Sequence, residues 1–192
     1  MTSSPRQPTA LRRSILILAF AVYLALLAWV VLWKLEVPWI GDAARLVRPI
    51  KLVPFVPSGD AGASTPIEML INLVLFLPFG LFLGALAPSW TWVKAGAAAL
   101  GASLVLETVQ HLISTGSFDT TDLIVNTDGA LIGWGVFALV RRAAGERTSV
   151  VMSRVCIAVS ALALVAATAF VVSPLHYGPQ RDIVVERSTS LP

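Results

Sequence analysis

Of the chain's 192 residues, 56% are hydrophobic and 13% charged, against about 25% charged in an average soluble domain; this excludes a soluble enzyme and points to an integral membrane protein. The net charge of +3 is spread around apolar blocks and forms no patch or stripe, so no nucleic-acid partner is expected. Cys156 is the single cysteine, which leaves no disulfide framework and no cysteine-based metal site.

Five apolar blocks each reach the ~18 residues needed to cross about 30 Å of hydrocarbon. The predicted fold class is therefore all-α, a polytopic transmembrane helix bundle of about five spans. A cytoplasmic segment, 1–13, carries Arg6, Arg12 and Arg13. The first span, 14–33, is too long for the core of a cleaved signal and ends Trp29-Val-Val-Leu-Trp33 instead of at a small-residue cleavage site, so it reads as an uncleaved anchor with an interfacial aromatic belt. Residues 34–66 form one long extracytoplasmic loop rich in Pro and Gly, with Pro38, Pro49, Pro54, Pro57 and Pro66. Within it Trp39, Ile40 and the run Leu52 to Phe55 are apolar enough to dip into the interface.

A three-span core, 67–142, follows, with spans from Ile67 to Ala87, Thr91 to Ile113 and Asp122 to Val140. A basic loop and a fifth span, Val150 to Val172, fill 143–172, and 173–192 reads as a flexible extracytoplasmic tail. The basic residues Arg141, Arg142, Arg147 and Arg154 crowd the last connection. They set a multi-pass plasma-membrane topology with the amino terminus cytoplasmic and the carboxy terminus extracytoplasmic. Small residues on the third span (Gly96, Gly101, Ser103) and the fourth (Gly129, Ala130, Gly133, Gly135) allow close backbone approach, so these two are expected to form the tight centre. Pro78 removes a backbone donor inside the second span and is expected to kink it.

Ionisable groups in a bilayer cost ~2.5–3.5 kcal/mol on insertion scales and usually face the protein interior. Here they are few. Glu68 and Asn72 share one face of the second span through i, i+4 spacing, as Asp122 and Asn126 do on the fourth; the third carries Glu107, Gln110 and His111. Alternating span direction brings all three groups to one level, where Asp119 of the preceding loop can lean over them. Glu107, about two turns from the helix end, is the candidate acid or base. For the amides interhelical packing is the alternative role, for Glu68 a place in the headgroup region, for Asp122 a helix N-cap, and for His111 an interfacial position. The sequence holds no known catalytic motif. No cofactor is expected and no metal site is assigned, although carboxylate and amide oxygens suit a hard cation chemically.

Three ordered stretches carry a family resemblance: Lys51-Leu-Val-Pro-Phe55; Asn72-Leu-Val-Leu-Phe-Leu-Pro-Phe-Gly80; and Glu107-Thr-Val-Gln110 followed by Phe118-Asp119, Asp122-Leu-Ile-Val-Asn126 and Gly129. Together, over about Lys51 to Arg142, they resemble the VanZ-like membrane proteins. The family pattern has a basic residue, generally Arg, shortly before the Phe-Asp pair, where this chain has Gly116 and its neighbours. The resemblance implies a bacterial cell-envelope protein, some of whose relatives are associated with tolerance to glycopeptide antibiotics such as teicoplanin. It brings no defined reaction.

Three functional expectations follow. The first is a polar pocket at the outer leaflet, formed by Glu68, Asn72, Glu107, Gln110, Asp119, Asp122 and Asn126, that binds a lipid-linked or lipopeptide-like ligand. The second is a membrane-embedded acid/base enzyme acting through Glu107 on an envelope lipid. The third is a structural or assembly partner. The bilayer is the one partner the sequence implies directly, and it leaves the oligomeric state open.

Overall fold

Each apolar block becomes a helix. The computed structural model describes residues 10–35, 38, 40, 50–56 and 64–173; Trp39, Pro49, Pro57, Arg6 and the tail beyond Ser173 lie outside these residues. Among these residues five α-helices follow one another: α1 (Ala10–Trp33), α2 (Pro66–Leu86), α3 (Trp92–Leu112), α4 (Thr120–Ala144) and α5 (Thr148–Val172). Two strands of two residues each, β1 (Ile50–Lys51) and β2 (Phe118–Asp119), pair in parallel, Ile50 with Phe118 and Lys51 with Asp119.

Among the described residues four helical stretches are long and apolar enough to cross a membrane, the last running 53 residues from Thr120 to Val172. At 1.5 Å per residue that stretch would measure about 80 Å, more than twice the hydrocarbon thickness. It is interrupted by a single 3-10 turn at Gly145–Arg147, where Gly145 has φ 51°. The turn divides it into α4 and α5, each of 25 residues, so the molecule is an all-α transmembrane bundle of five helices.

Local chemistry sets the helix starts. Thr65 and Glu68 form a capping box ahead of α2: the Glu68 amide donates to Thr65 Oγ1 at 3.3 Å and the Thr65 amide to Glu68 Oε2 at 2.8 Å. Pro66 occupies the first turn, where its missing N–H costs nothing. Asp119, not Asp122, caps α4, accepting the Thr121 amide at 2.8 Å. Asp122 lies one step inside the first turn. α1 begins at Ala10, four residues before the apolar block, because Ala-Leu-Arg-Arg are good helix formers; Arg12 and Arg13 therefore ride on its first turn. α2 remains helical through Pro78.

The tight centre is α2 against α4, not α3 against α4. Two of the three fourth-span glycines face the second helix: a Cβ at Gly129 would overlap the Leu73 carbonyl and one at Gly133 the Leu77 carbonyl, while from the α2 side one at Gly80 would overlap the Ala130 carbonyl. α3 packs on α4 more loosely, with Ser103 hydrogen-bonded to Asn126, Gly96 in ordinary contact with Leu131 and Gly101 facing open space. Small residues on two neighbouring spans show that close approach is possible. They do not show with which partner, and α2 supplies the matching carbonyl ridge.

α1 closes the other side of α2. Phe20, Tyr23, Phe79 and Phe82 stack with ring centroids 4.9–6.2 Å apart, a geometry worth ~0.5–1.5 kcal/mol per pair beyond area burial. The Tyr23 hydroxyl donates to the Leu75 carbonyl at 2.7 Å. α5 joins α1 through Ser160, whose hydroxyl donates to the Ala19 carbonyl at 3.0 Å. At the end of the bundle away from β1 and β2, Arg141 donates to the Pro88 carbonyl at 2.6 Å and lies over the Phe137 ring.

Candidate functional site

The polar residues of α2, α3 and α4 meet at the end of the bundle where β1 and β2 pair. The short ladder has a consequence out of proportion to its length: it sets Lys51 beside Asp119. Lys51 Nζ lies 3.3 Å from Asp119 Oδ2, with both residues buried. The same carboxylate accepts the Ser64 hydroxyl at 2.9 Å through Oδ2, while Oδ1 takes the Thr121 amide. Burial opposes ionisation of Asp119, but the Thr121 and Ser64 hydrogen bonds and the Lys51 ammonium outweigh it and hold the carboxyl below its ordinary range.

Behind this ion pair stands Glu107, 2% exposed. Its Oε2 accepts the Asp119 amide at 3.1 Å, so α3 supports the backbone of the strand that presents Asp119. Two further threonines stitch the β1 segment to the head of α4: Thr120 Oγ1 donates to the Lys51 carbonyl at 3.0 Å, and the Phe55 amide donates to Thr121 Oγ1 at 3.0 Å.

In front, half-buried, Asn72 Nδ2 of α2 donates to Asp122 Oδ1 of α4 at 2.8 Å. Asp122 lies within electrostatic reach of Asp119, Glu68 and Lys51. The arrangement is thus a buried ion pair on a buried glutamate, rimmed by a half-exposed amide–carboxylate bridge.

Of the seven residues expected to converge, Asn72, Glu107, Asp119 and Asp122 meet here. Glu68 stands at the mouth, exposed, and serves in the α2 capping box. Asn126 lies one turn deeper and bridges to α3 instead, donating through Nδ2 to Ser103 Oγ at 2.9 Å, while its buried Oδ1 has no partner among the described residues. Gln110 is turned away: its side chain packs over Gly116, and its carbonyl receives the Thr115 amide at 3.1 Å. His111 is half-buried, with Nδ1 unpartnered among the described residues. No group of three His, Cys, Asp or Glu among the described residues is placed to hold a metal ion.

Sequence reasoning missed Lys51, Ser64, Thr121 and Ser103. Lys51 enters the sequence reading as a loop cation and as the first residue of the Lys51-Leu-Val-Pro-Phe55 stretch, with no partner assigned to it; its signal is its place as the lone charge in the run Ile50 to Phe55. The cation that meets Asp119 therefore comes from β1 and not from the segment around Gly116. At the same end of the bundle, Leu52, Val53, Phe55 and Val56, which follow Lys51 in the β1 segment, and Ile67 in the first turn of α2 are exposed apolar residues.

Protein VanZ of Enterococcus faecium is 32% identical over 145 residues, which cover 76% of this chain and 85% of that protein. No solved structure matches the chain. The VanZ/LLP1 family pattern matches residues 20–141, from the aromatic cluster of α1 to the carboxy-terminal end of α4. The match begins well before Lys51, so the family unit includes the helix that packs its aromatic residues against α2. The chain belongs to the VanZ/LLP1 family.

Proposed function

We propose that the protein is a cell-envelope membrane protein that binds an amphiphile, a lipid-linked or lipopeptide-like ligand, at the polar cluster, and that this activity links it to glycopeptide tolerance of the teicoplanin type. The observation that carries the reading is the run of exposed apolar residues directly following Lys51 of the charged, buried pair. An acylated ligand can lay its chain against Leu52, Val53, Phe55 and Ile67 and reach with polar groups towards Asn72 and Asp122. The buried pair beneath, Lys51 with Asp119, keeps that floor rigid, since each of its polar groups is already engaged. Glu107 then acts as a positioning residue, holding the Asp119 backbone.

The test uses full-length protein in nanodiscs with teicoplanin as the probe and a glycopeptide lacking the acyl chain as the comparison. Tight binding of the acylated probe alone is expected, with Asn72→Ala and Asp122→Ala each weakening it about tenfold and the double substitution costing little more than either, because groups in one bridge couple by ~0.5–3 kcal/mol. Equal binding of both probes, or additive losses, would overturn the reading.

The site is assigned to the extracytoplasmic side of the plasma membrane. Arg12, Arg141, Arg147 and Arg154 lie at the opposite end of the helices, and Lys/Arg-rich ends are retained in the cytoplasm. A reporter fused after Ser173 is expected to read as extracytoplasmic; a cytoplasmic reading there would reverse the assignment.

A further inference from the structure

Away from the polar cluster, at the arginine-rich end, the first turns of α1 and α5 leave a groove between them. It has a volume of about 360 Å³, within the ~300–1,000 Å³ of ordinary ligand pockets. Arg12 enters from α1 and Arg154 from α5, while Leu11, Ile15, Val150 and Ile157 supply apolar walls. Ser153 also lines it, but its hydroxyl donates to the Ser149 carbonyl at 2.6 Å.

We infer that this groove binds the headgroup of an anionic phospholipid, with Arg12 and Arg154 closing on the phosphodiester from two helices. The groove holds two cations and no acid among its lining residues, so its charge suits an anion. Neither α1 nor α5 contains an Asp or Glu, and neither guanidinium has an ion-pair partner among the described residues. Glu146 in the turn before α5 is already held in an interaction of its own. Guanidinium groups match phosphate oxygens in a bidentate fork, and two of them on separate helices also tie α1 to α5 at a point where few polar contacts do so.

The apolar walls select a lipid over a free anion. Inorganic phosphate gains nothing from Leu11, Ile15, Val150 and Ile157, whereas the glycerol and upper acyl carbons of a phospholipid do. Beyond the groove both helices present exposed apolar residues, Leu18 on α1 and Leu162 and Val165 on α5, along which acyl chains can continue. Cations near an anionic lipid surface contribute about fivefold in affinity each, so the pair gives roughly 25-fold.

The experiment is native mass spectrometry of the full-length protein, titrated in detergent with phosphatidylglycerol or phosphatidylcholine. Retention of phosphatidylglycerol over phosphatidylcholine is expected, falling about fivefold in Arg12→Gln or Arg154→Gln and about 25-fold in the double variant. Arg13→Gln and Arg147→Gln, at the same end but outside the groove, are expected to leave retention unchanged. Equal losses from those two controls would overturn the proposal in favour of diffuse charge attraction. Displacement of the lipid by millimolar inorganic phosphate would overturn it in favour of a plain anion site. Should Arg12→Gln insert poorly, the exposed Arg154 decides alone: Arg154→Gln that binds phosphatidylglycerol as well as the unaltered protein sinks the proposal.

Discussion

Replacing Asp119 with Asn is expected to destabilise the folded protein by about 3–5 kcal/mol, the range for removing one partner of a buried ion pair. Lys51 is 8% exposed and Asp119 4%, so water cannot substitute for the lost counter-charge as it would at a surface pair. The substitution also weakens the acceptor of the Ser64 hydroxyl and the cap of α4, both of which depend on the same carboxylate. Lys51→Met should cost a similar amount, and the double variant Lys51→Met/Asp119→Asn should recover much of the loss, because neither member of the pair is then left charged without its partner. The effect has a defined pH dependence. The Asp119 carboxyl is held below its ordinary range, so its contribution is complete above the unfolded value near pH 4 and is lost as pH falls through the folded value. Thermal melting of the purified protein should therefore show a wide gap between wild type and Asp119→Asn at pH 7 that narrows in acid below about pH 4. A gap that is absent at pH 7, or unchanged down to pH 3, would contradict the assignment.

That ion pair also shows where sequence reading stops. Hydropathy suffices for the five helices, because twenty apolar residues in a row have few other stable arrangements in lipid. The i, i+4 spacing of Glu68 with Asn72 and of Asp122 with Asn126 gives faces, and alternating span direction gives a common depth, so Asn72 and Asp122 can be brought together from sequence. Neighbour identity is a different matter. Lys51 reaches Asp119 only because β1 pairs with β2 across two intervening helices, and no local signal announces a two-residue ladder. Asn126 shares a face with Asp122 yet lies one turn deeper, where its partner is Ser103, a small polar residue hidden in an alanine-rich helix. Glu68 is drawn to the backbone of its own helix start, since Thr65 stands three residues before it; that capping signature is visible in the sequence and competes directly with a role in the site.

Along α4, glycines of one membrane helix are expected to respond oppositely to substitution according to what each faces. Leu73 and Leu77 turn their carbonyl oxygens towards Gly129 and Gly133, so the two helices run side by side with backbone against backbone. In lipid, where apolar side chains gain little by leaving their surroundings, such close packing is a principal source of helix association. A Cβ at Gly133 would meet a carbonyl oxygen and the neighbouring main chain, neither of which can rotate aside as a flexible side chain could. Gly133→Val is expected to cost about 3 kcal/mol, the upper end of ordinary overpacking, and Gly129→Ala/Gly133→Ala at least as much. Separation of α2 from α4 would also pull Asn72 away from Asp122, so binding at the polar cluster should fail together with stability. Gly101 and Gly135 have nothing within 4 Å of a built Cβ. Gly135→Ala should therefore leave the melting temperature unchanged or raise it slightly, as Ala exceeds Gly in helix propensity by ~1 kcal/mol. Melting curves of the four single alanine variants, Gly101, Gly129, Gly133 and Gly135, decide the matter: equal behaviour of all four would show that α2 and α4 do not depend on backbone contact at Leu73 and Leu77.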